Sequence, residues 1–253
     1  MTKLPLMVCA IVVAVSLVVL AVMPGAADQV SPAQADAGAL LLLADSGGSS
    51  TSTALPPPLP DVNADGCIDV LDVILVGQHF GETGEPGWMP EDVNQNGAVN
   101  VVDIVLILAQ FGQGSCPGGS PGFGAAVVSV VPPTTTVSQG EVFSVDVCVT
   151  PLARIAGAQF GLSFDPALLA ALVVTQGDLL NQDGASTFFS PGLINNVVGS
   201  VTSVLGAVTT PGASVATPGV LATVQFIART QPGTSALGLS DVRVGNPQGQ
   251  RLV

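Results

Sequence analysis

Apolar and polar positions alternate with period two through EVFSVDVCV (Glu141–Val149), which puts Val145, Val147 and Val149 on one face. The same alternation runs through AQFGLSF, where Ala158, Phe160, Leu162 and Phe164 share a face, and a third such stretch, VLATVQFIA, begins at Val220. Turn-rich clusters (PPTTTVSQG, TTPGASVATPG, RTQPGTS) separate these runs. Short strands punctuated by Gly and Pro predict a mainly β fold, a two-sheet sandwich over residues 125–253. DPALLAALVV is the exception, where Asp165-Pro166 is expected to start a single helical turn. Upstream, VILVGQHFG (Val73–Gly81) and IVLILAQFG (Ile104–Gly112) are two matching apolar runs, expected to form short helical segments that pack against each other.

Five segments follow from these patterns. Lys3 precedes an apolar stretch from Leu4 to Val22, and Gly25-Ala26-Ala27 offers a cleavage point, so residues 1–27 read as an export signal peptide. The apolar run also borders on spanning length, which leaves a retained membrane anchor as the alternative. Residues 28–60 are a Ser/Thr/Pro-rich linker whose composition buries too little surface to order itself. A compact module is expected over 61–112, a Gly/Pro/Ser hinge over 113–124, and the β domain over 125–253. The short hinge makes docking of the module onto the β domain of the same copy geometrically awkward.

Charge narrows the partners. The chain has 18 acidic residues against five Lys and Arg, a formal net charge of −13, and its basic residues are scattered. Nothing in it can replace the counterions of a phosphate backbone, so nucleic acid is excluded, and a cation is the natural partner. An exported chain meets abundant calcium and an oxidising compartment, so its expected location is extracellular, secreted or attached to the cell surface. Cys67 and Cys116 flank most of the compact module, and a bridge between them would tie its ends together. The alternative leaves Cys67 a small loop residue. Cys148, inside an alternating strand, reads as a buried hydrophobe.

The chemistry lies in two copies of one loop, DVNADGCIDVLD from Asp61 and DVNQNGAVNVVD from Asp92. Each has oxygen-bearing side chains at places one, three, five, nine and twelve, with glycine at six. That is the spacing a flexible twelve-residue loop needs to wrap a calcium ion. The first set is Asp61, Asn63, Asp65, the carbonyl of Cys67, Asp69 and Asp72. The second is Asp92, Asn94, Asn96, the carbonyl of Ala98, Asn100 and Asp103. Two calcium ions are therefore expected, bound more tightly in the first loop, which holds four carboxylates against two. Proline before each loop (PPPLP, EPGWMPE) denies an incoming helix, and place twelve is Asp instead of Glu, so each unit is half an EF-hand.

The two loops, the Leu75/Phe80 and Leu106/Phe111 pairs that follow, and the tandem arrangement resemble the dockerin family, type I-like. The resemblance implies two antiparallel helices held by two calcium ions and a cohesin-domain partner. In many dockerins the pair before place twelve contributes to recognition. Here those positions are Val70, Leu71, Val101 and Val102, which implies a hydrophobic recognition face; internal packing is the competing role for these four residues. The β domain in turn is similar to a cohesin, through VVSVVPPTTTVSQGEVFSVDVCV, AGAQFGLSFDPALL, GDLL and GVLATVQFIA. That resemblance implies a nine-stranded jelly-roll sandwich receiving a dockerin on one flat face, with one more strand expected near the closing NPQGQRLV.

No catalytic motif occurs: the single histidine, His79, has no nucleophile set beside it by any pattern, and no phosphate or dinucleotide loop is present. The chain is thus expected to be a non-catalytic extracellular scaffold or adaptor. Its partners would be cohesin- or dockerin-bearing proteins, including copies of itself, and polysaccharide enters only through the family association. The alternative is a cell-surface adhesion or carbohydrate-binding protein with a calcium-stiffened stalk.

Overall fold

The computed structural model describes residues 60–116 and 125–253. The expected signal or anchor segment 1–27, the expected linker up to residue 59 and residues 117–124 of the expected hinge lie outside them. Among the described residues no helix is long and apolar enough to cross a membrane.

Two short helices, α1 (Val70–Gln78) and α2 (Val101–Ala109), follow the two loops directly. No helix runs directly into either loop within residues 60–116, as the prolines require. Both start with a reciprocal capping box. Asp69 and Asn100 accept from the amides of Leu71 and Val102, while Asp72 and Asp103 reach back to the cap amides. Val73, Val76, Ile104 and Ile107 are fully buried where the two repeats meet. Cys67 and Cys116 are joined in a disulfide.

Residues 125–253 form nine strands: β1 (Ala126–Val131), β2 (Val142–Pro151), β3 (Gly157–Ser163), β4 (Leu169–Gln176), β5 (Thr187–Ser190), β6 (Leu193–Asn195), β7 (Ser200–Val208), β8 (Gly219–Ala228) and β9 (Gly238–Gly245). One sheet runs β1-β2-β8-β4 and the other β5-β7-β3-β9, with β6 also on β7; every pairing is antiparallel. The inward faces are those the alternation marked. Val145, Val147 and Val149 meet Phe160, Leu162 and Phe226 between the sheets, where Phe226 stacks on Phe143 and meets Phe164 edge-on. Cys148 is buried and lies outside the disulfide. DPALLAALVV makes one turn, with the amides of Leu168 and Leu169 on the Asp165 carbonyl, and then becomes β4. The expected further strand is replaced by a turn over 246–250, after which Arg251 bridges back to Gly245.

The second sheet is covered on its outer side. Ala156, Leu205 and Ala207 belong to the same apolar cluster as Val70, Leu71, Ile74 and Ile104, so the helical module sits on the β5-β7-β3-β9 face of its own chain. This corrects the expectation that the short hinge disfavours docking within one copy. The face was close enough to reach, and a second core forms against it.

Candidate calcium loops and docking face

The two loops have one backbone shape. Place four is left-handed in both (Ala64 φ 55°, Gln95 φ 56°), as is the glycine at place six (Gly66 φ 86°, Gly97 φ 84°). Asp61 accepts the amides of Asp65 and Gly66. Asp92 accepts those of Asn96 and Gly97. Asp72 takes the amides of Val62, Asn63 and Asp69 at 2.7, 3.2 and 2.8 Å, and Asp103 takes those of Asn94 and Asn100 at 3.1 and 2.8 Å. Asn63 and Asn94 reach the amides of Asp65 and Asn96, and Asp65 and Asn96 those of Cys67 and Ala98.

Among the described residues no group of three or more His, Cys, Asp or Glu side chains is gathered tightly enough to hold a metal ion. The donor set, part carboxylate, part amide and part carbonyl, nevertheless fits a hard divalent ion. Asp72 is fully buried, and that burial pushes its carboxyl up to about 7 despite the amides of Asp69, Asn63 and Val62. A cation at the loop centre would supply the opposite charge this carboxylate needs.

The residues at place nine also serve the helices. Asn100 caps α2 and donates its amide to the Ala98 carbonyl at 3.0 Å. Asp69 caps α1 with one oxygen (2.7 Å to the Leu71 amide) and sets the other 2.8 Å from an Arg243 guanidinium nitrogen on β9. Both side chains are nearly buried, 3% and 8% exposed. Burial pushes the Asp69 carboxyl up, and the Leu71 amide and Arg243 offset part of that.

This ion pair anchors α1 to the sandwich. Beside it, Gln159 on β3, the register partner of Arg243, accepts the Val70 amide at 2.9 Å and donates to the Asp241 carbonyl at 3.4 Å. Asp241 has positive φ at an irregularity in the β3–β9 pairing, which aims that carbonyl. Further along, Gly157 and Gly245 are also register partners. Together they make a notch for Ile74: a Cβ at Gly157 would lie 2.7 Å from Ile74 Cγ1, and one at Gly245 2.5 Å from Ile74 Cδ1. At the far end, Gly77 lies against the Val208 carbonyl. Gln78 there donates to the Ala213 carbonyl (3.4 Å) and accepts the Gly212 amide (3.1 Å).

The structure divides the four residues expected on a recognition face. Val70 and Leu71 are buried, with Leu71 against Gly245, whereas Val101 and Val102 are about half exposed. Sequence reasoning missed Gln159, Arg243 and the glycine pair. An arginine inside a strand of a chain with so few cations was the available signal. His79 sits between Glu82 and Glu91, half-exposed.

A capped pair of half EF-hands docked on a jelly-roll sandwich defines a two-module recognition protein. Family comparison gives the modules their names. A model of the dockerin type I domain matches residues 59–112, and a model of the cohesin domain matches residues 128–244. The chain therefore carries a dockerin followed by a cohesin, both non-catalytic interaction modules, the former of a calcium-binding class. Among solved structures, the β domain is similar to the second type II cohesin module of the cellulosomal adaptor ScaA scaffoldin of Acetivibrio cellulolyticus. That similarity has 18% identity and TM-score 0.42, and covers 50% of this chain and 88% of that one. A non-cellulosomal cohesin from the hyperthermophilic archaeon Archaeoglobus fulgidus is similar at 18% identity and TM-score 0.33, covering 45% and 73%. No curated protein matches the chain.

Proposed function

We propose that the chain is an extracellular adaptor whose dockerin, ordered by two calcium ions, plugs into cohesin faces, beginning with the one it carries. The observation that carries this is α1 seated on β3, β7 and β9, with the buried Asp69–Arg243 pair at its start. The first ion would be held by Asp61, Asn63, Asp65, Asp72 and the Cys67 carbonyl, with Asp69 reaching it through water. The second would be held by Asp92, Asn94, Asn96, Asp103 and the Ala98 carbonyl, with Asn100 in the place of Asp69.

The same contact made between copies is a heterologous one, which builds open chains of molecules instead of a closed pair. Closure within a copy and exchange between copies then compete, and concentration chooses between them. A setting in polysaccharide degradation rests on the family resemblance alone. The test is sedimentation velocity of the full chain over a concentration series, in calcium and in chelator. A compact monomer in dilute calcium that swells on chelation, and larger species at high concentration, are expected. Identical profiles with and without calcium would remove the basis of the proposal.

A further inference from the structure

The two dockerin repeats are offset by 31 residues, Asp61 matching Asp92, so every residue of α1 has a counterpart in α2. Much of the docking surface is matched conservatively: Leu71 by Val102, Ile74 by Val105, Leu75 by Leu106. On apolar character alone either helix could sit on the cohesin. The structure seats α1 and leaves Val101, Val102, Val105 and Leu106 exposed.

We infer that this cohesin face reads the first repeat alone, through Asp69, Gly77 and Gln78, positions at which the second repeat carries Asn100, Leu108 and Ala109. The inference rests on the self-docking reading and adds to it which helix is taken and why. Arg243 is almost buried and meets a carboxylate at 2.8 Å. With Asn100 in that position, a buried guanidinium would face a neutral amide and lose its counter-charge. A Cβ at Gly77 would collide with the backbone carbonyl of Val208, which has no rotamer to yield. Leu108 would bring a whole side chain there. Gln78 satisfies the Gly212 amide and the Ala213 carbonyl, and Ala109 can do neither. Charge, shape and hydrogen bonding are thus three separate barriers to the second repeat, spread over both ends of the helix.

Two amides report the docked state directly, because each is bonded across the interface: Val70 to Gln159, and Gly212 to Gln78. Their exchange with deuterated solvent is followed by NMR on the full chain in calcium. In the unaltered protein Val70 and Gly212 should exchange slowly and Val101 fast. R243Q, which leaves the dockerin untouched, should speed Val70 exchange by roughly tenfold or more, since it strips a buried carboxylate of its partner. The triple variant D69N/G77L/Q78A should bring Val70 to the rate of Val101. Asn100 shows that asparagine keeps the cap and the loop. Adding N100D/L108G/A109Q to that triple should make Val101 slow and restore slow exchange at Gly212.

Retained protection of Val70 in R243Q or in the triple variant overturns the inference, as does equal protection of Val70 and Val101 in the unaltered chain. Fast exchange at Val70 and Gly212 in the unaltered chain is a different failure, because it removes self-docking and the inference together. The helix-interior amide of Ile107 serves as the folding control. If it too loses protection in the triple variant, R243Q alone decides.

Discussion

Opening the Cys67–Cys116 bridge should destabilise the dockerin by about 4 kcal/mol. The two cysteines are 49 residues apart, and both helices and the whole second loop lie between them. In the chain-entropy account, a closed loop of that length removes about 14 cal/mol/K from the unfolded ensemble, which is the source of the figure. The folded side should change little. The segment around Cys67 keeps its backbone bonds, with the Ile68 amide on the Gln113 carbonyl (3.0 Å) and the Gly112 amide on the Ile68 carbonyl (2.8 Å). Trp88, the only tryptophan of the chain, lies inside the bridged segment and packs against Gly84, so its emission follows this module and not the sandwich. Urea titrations monitored at Trp88, with and without reductant and again for C67S/C116S, measure the loss. On heating, the same loss corresponds to roughly 15–30 °C for a module this small. Cys148 is buried and should not interfere. A change below about 1 kcal/mol, in calcium and in chelator alike, would refute the reasoning. It would mean that the unfolded segment is held compact by something other than the bridge.

Three further outcomes are expected. Calorimetric titration with calcium should resolve two unequal sites, with the tighter one lost in Asp61→Ala and the weaker in Asp92→Ala, because the first loop has four carboxylates and the second two; two equal sites would contradict that charge argument. Phe226→Ala should cost the sandwich about 3–5 kcal/mol, since the ring is fully buried between Phe143 and Phe164; circular dichroism in denaturant measures it. Gly245→Val should open the docked state while leaving the sandwich folded, because the added Cβ meets the ends of Ile74 and Leu71 and little else. The radius of gyration from small-angle scattering should rise, and an unchanged radius counts against the glycine notch.

The sandwich was readable because its strands are half-buried. Period-two alternation at Val145, Val147 and Val149 is the direct imprint of one face turned to the core. The loops were readable for another reason: ion-wrapping geometry fixes residue type position by position, and the chain repeats it. At DPALLAALVV the single turn started by Asp165-Pro166 forms, and beyond it the helical composition of the segment gives way to pairing of β4 with β8. Asp69 and Asn100 read as loop oxygens for a cation, and the structure adds a second task for each: both cap helices, and Asp69 also reaches Arg243 on β9. A side chain with two oxygens can serve two elements, and spacing reports only the nearer one.

The docking face was not readable, and the reason is physical. Gly157, Gly245 and Gly77 contribute by having no side chain, and the meaning of that absence depends on which atom stands opposite. Gly77 and Leu108 occupy matching places in two repeats of nearly equal apolar character. In isolation the difference reads as a small loss of helix propensity in α1. Set against Val208, it decides which helix can approach the sheet. Likewise Arg243 is one of four scattered arginines until β9 carries it beside Gln159, at the one point where a buried carboxylate begins a helix. Local constraints such as loop ligation and strand alternation write themselves into sequence as periodicity. A contact between two modules leaves only isolated exceptions to that periodicity, and in a duplicated module the informative exceptions are the positions at which the two copies stopped matching.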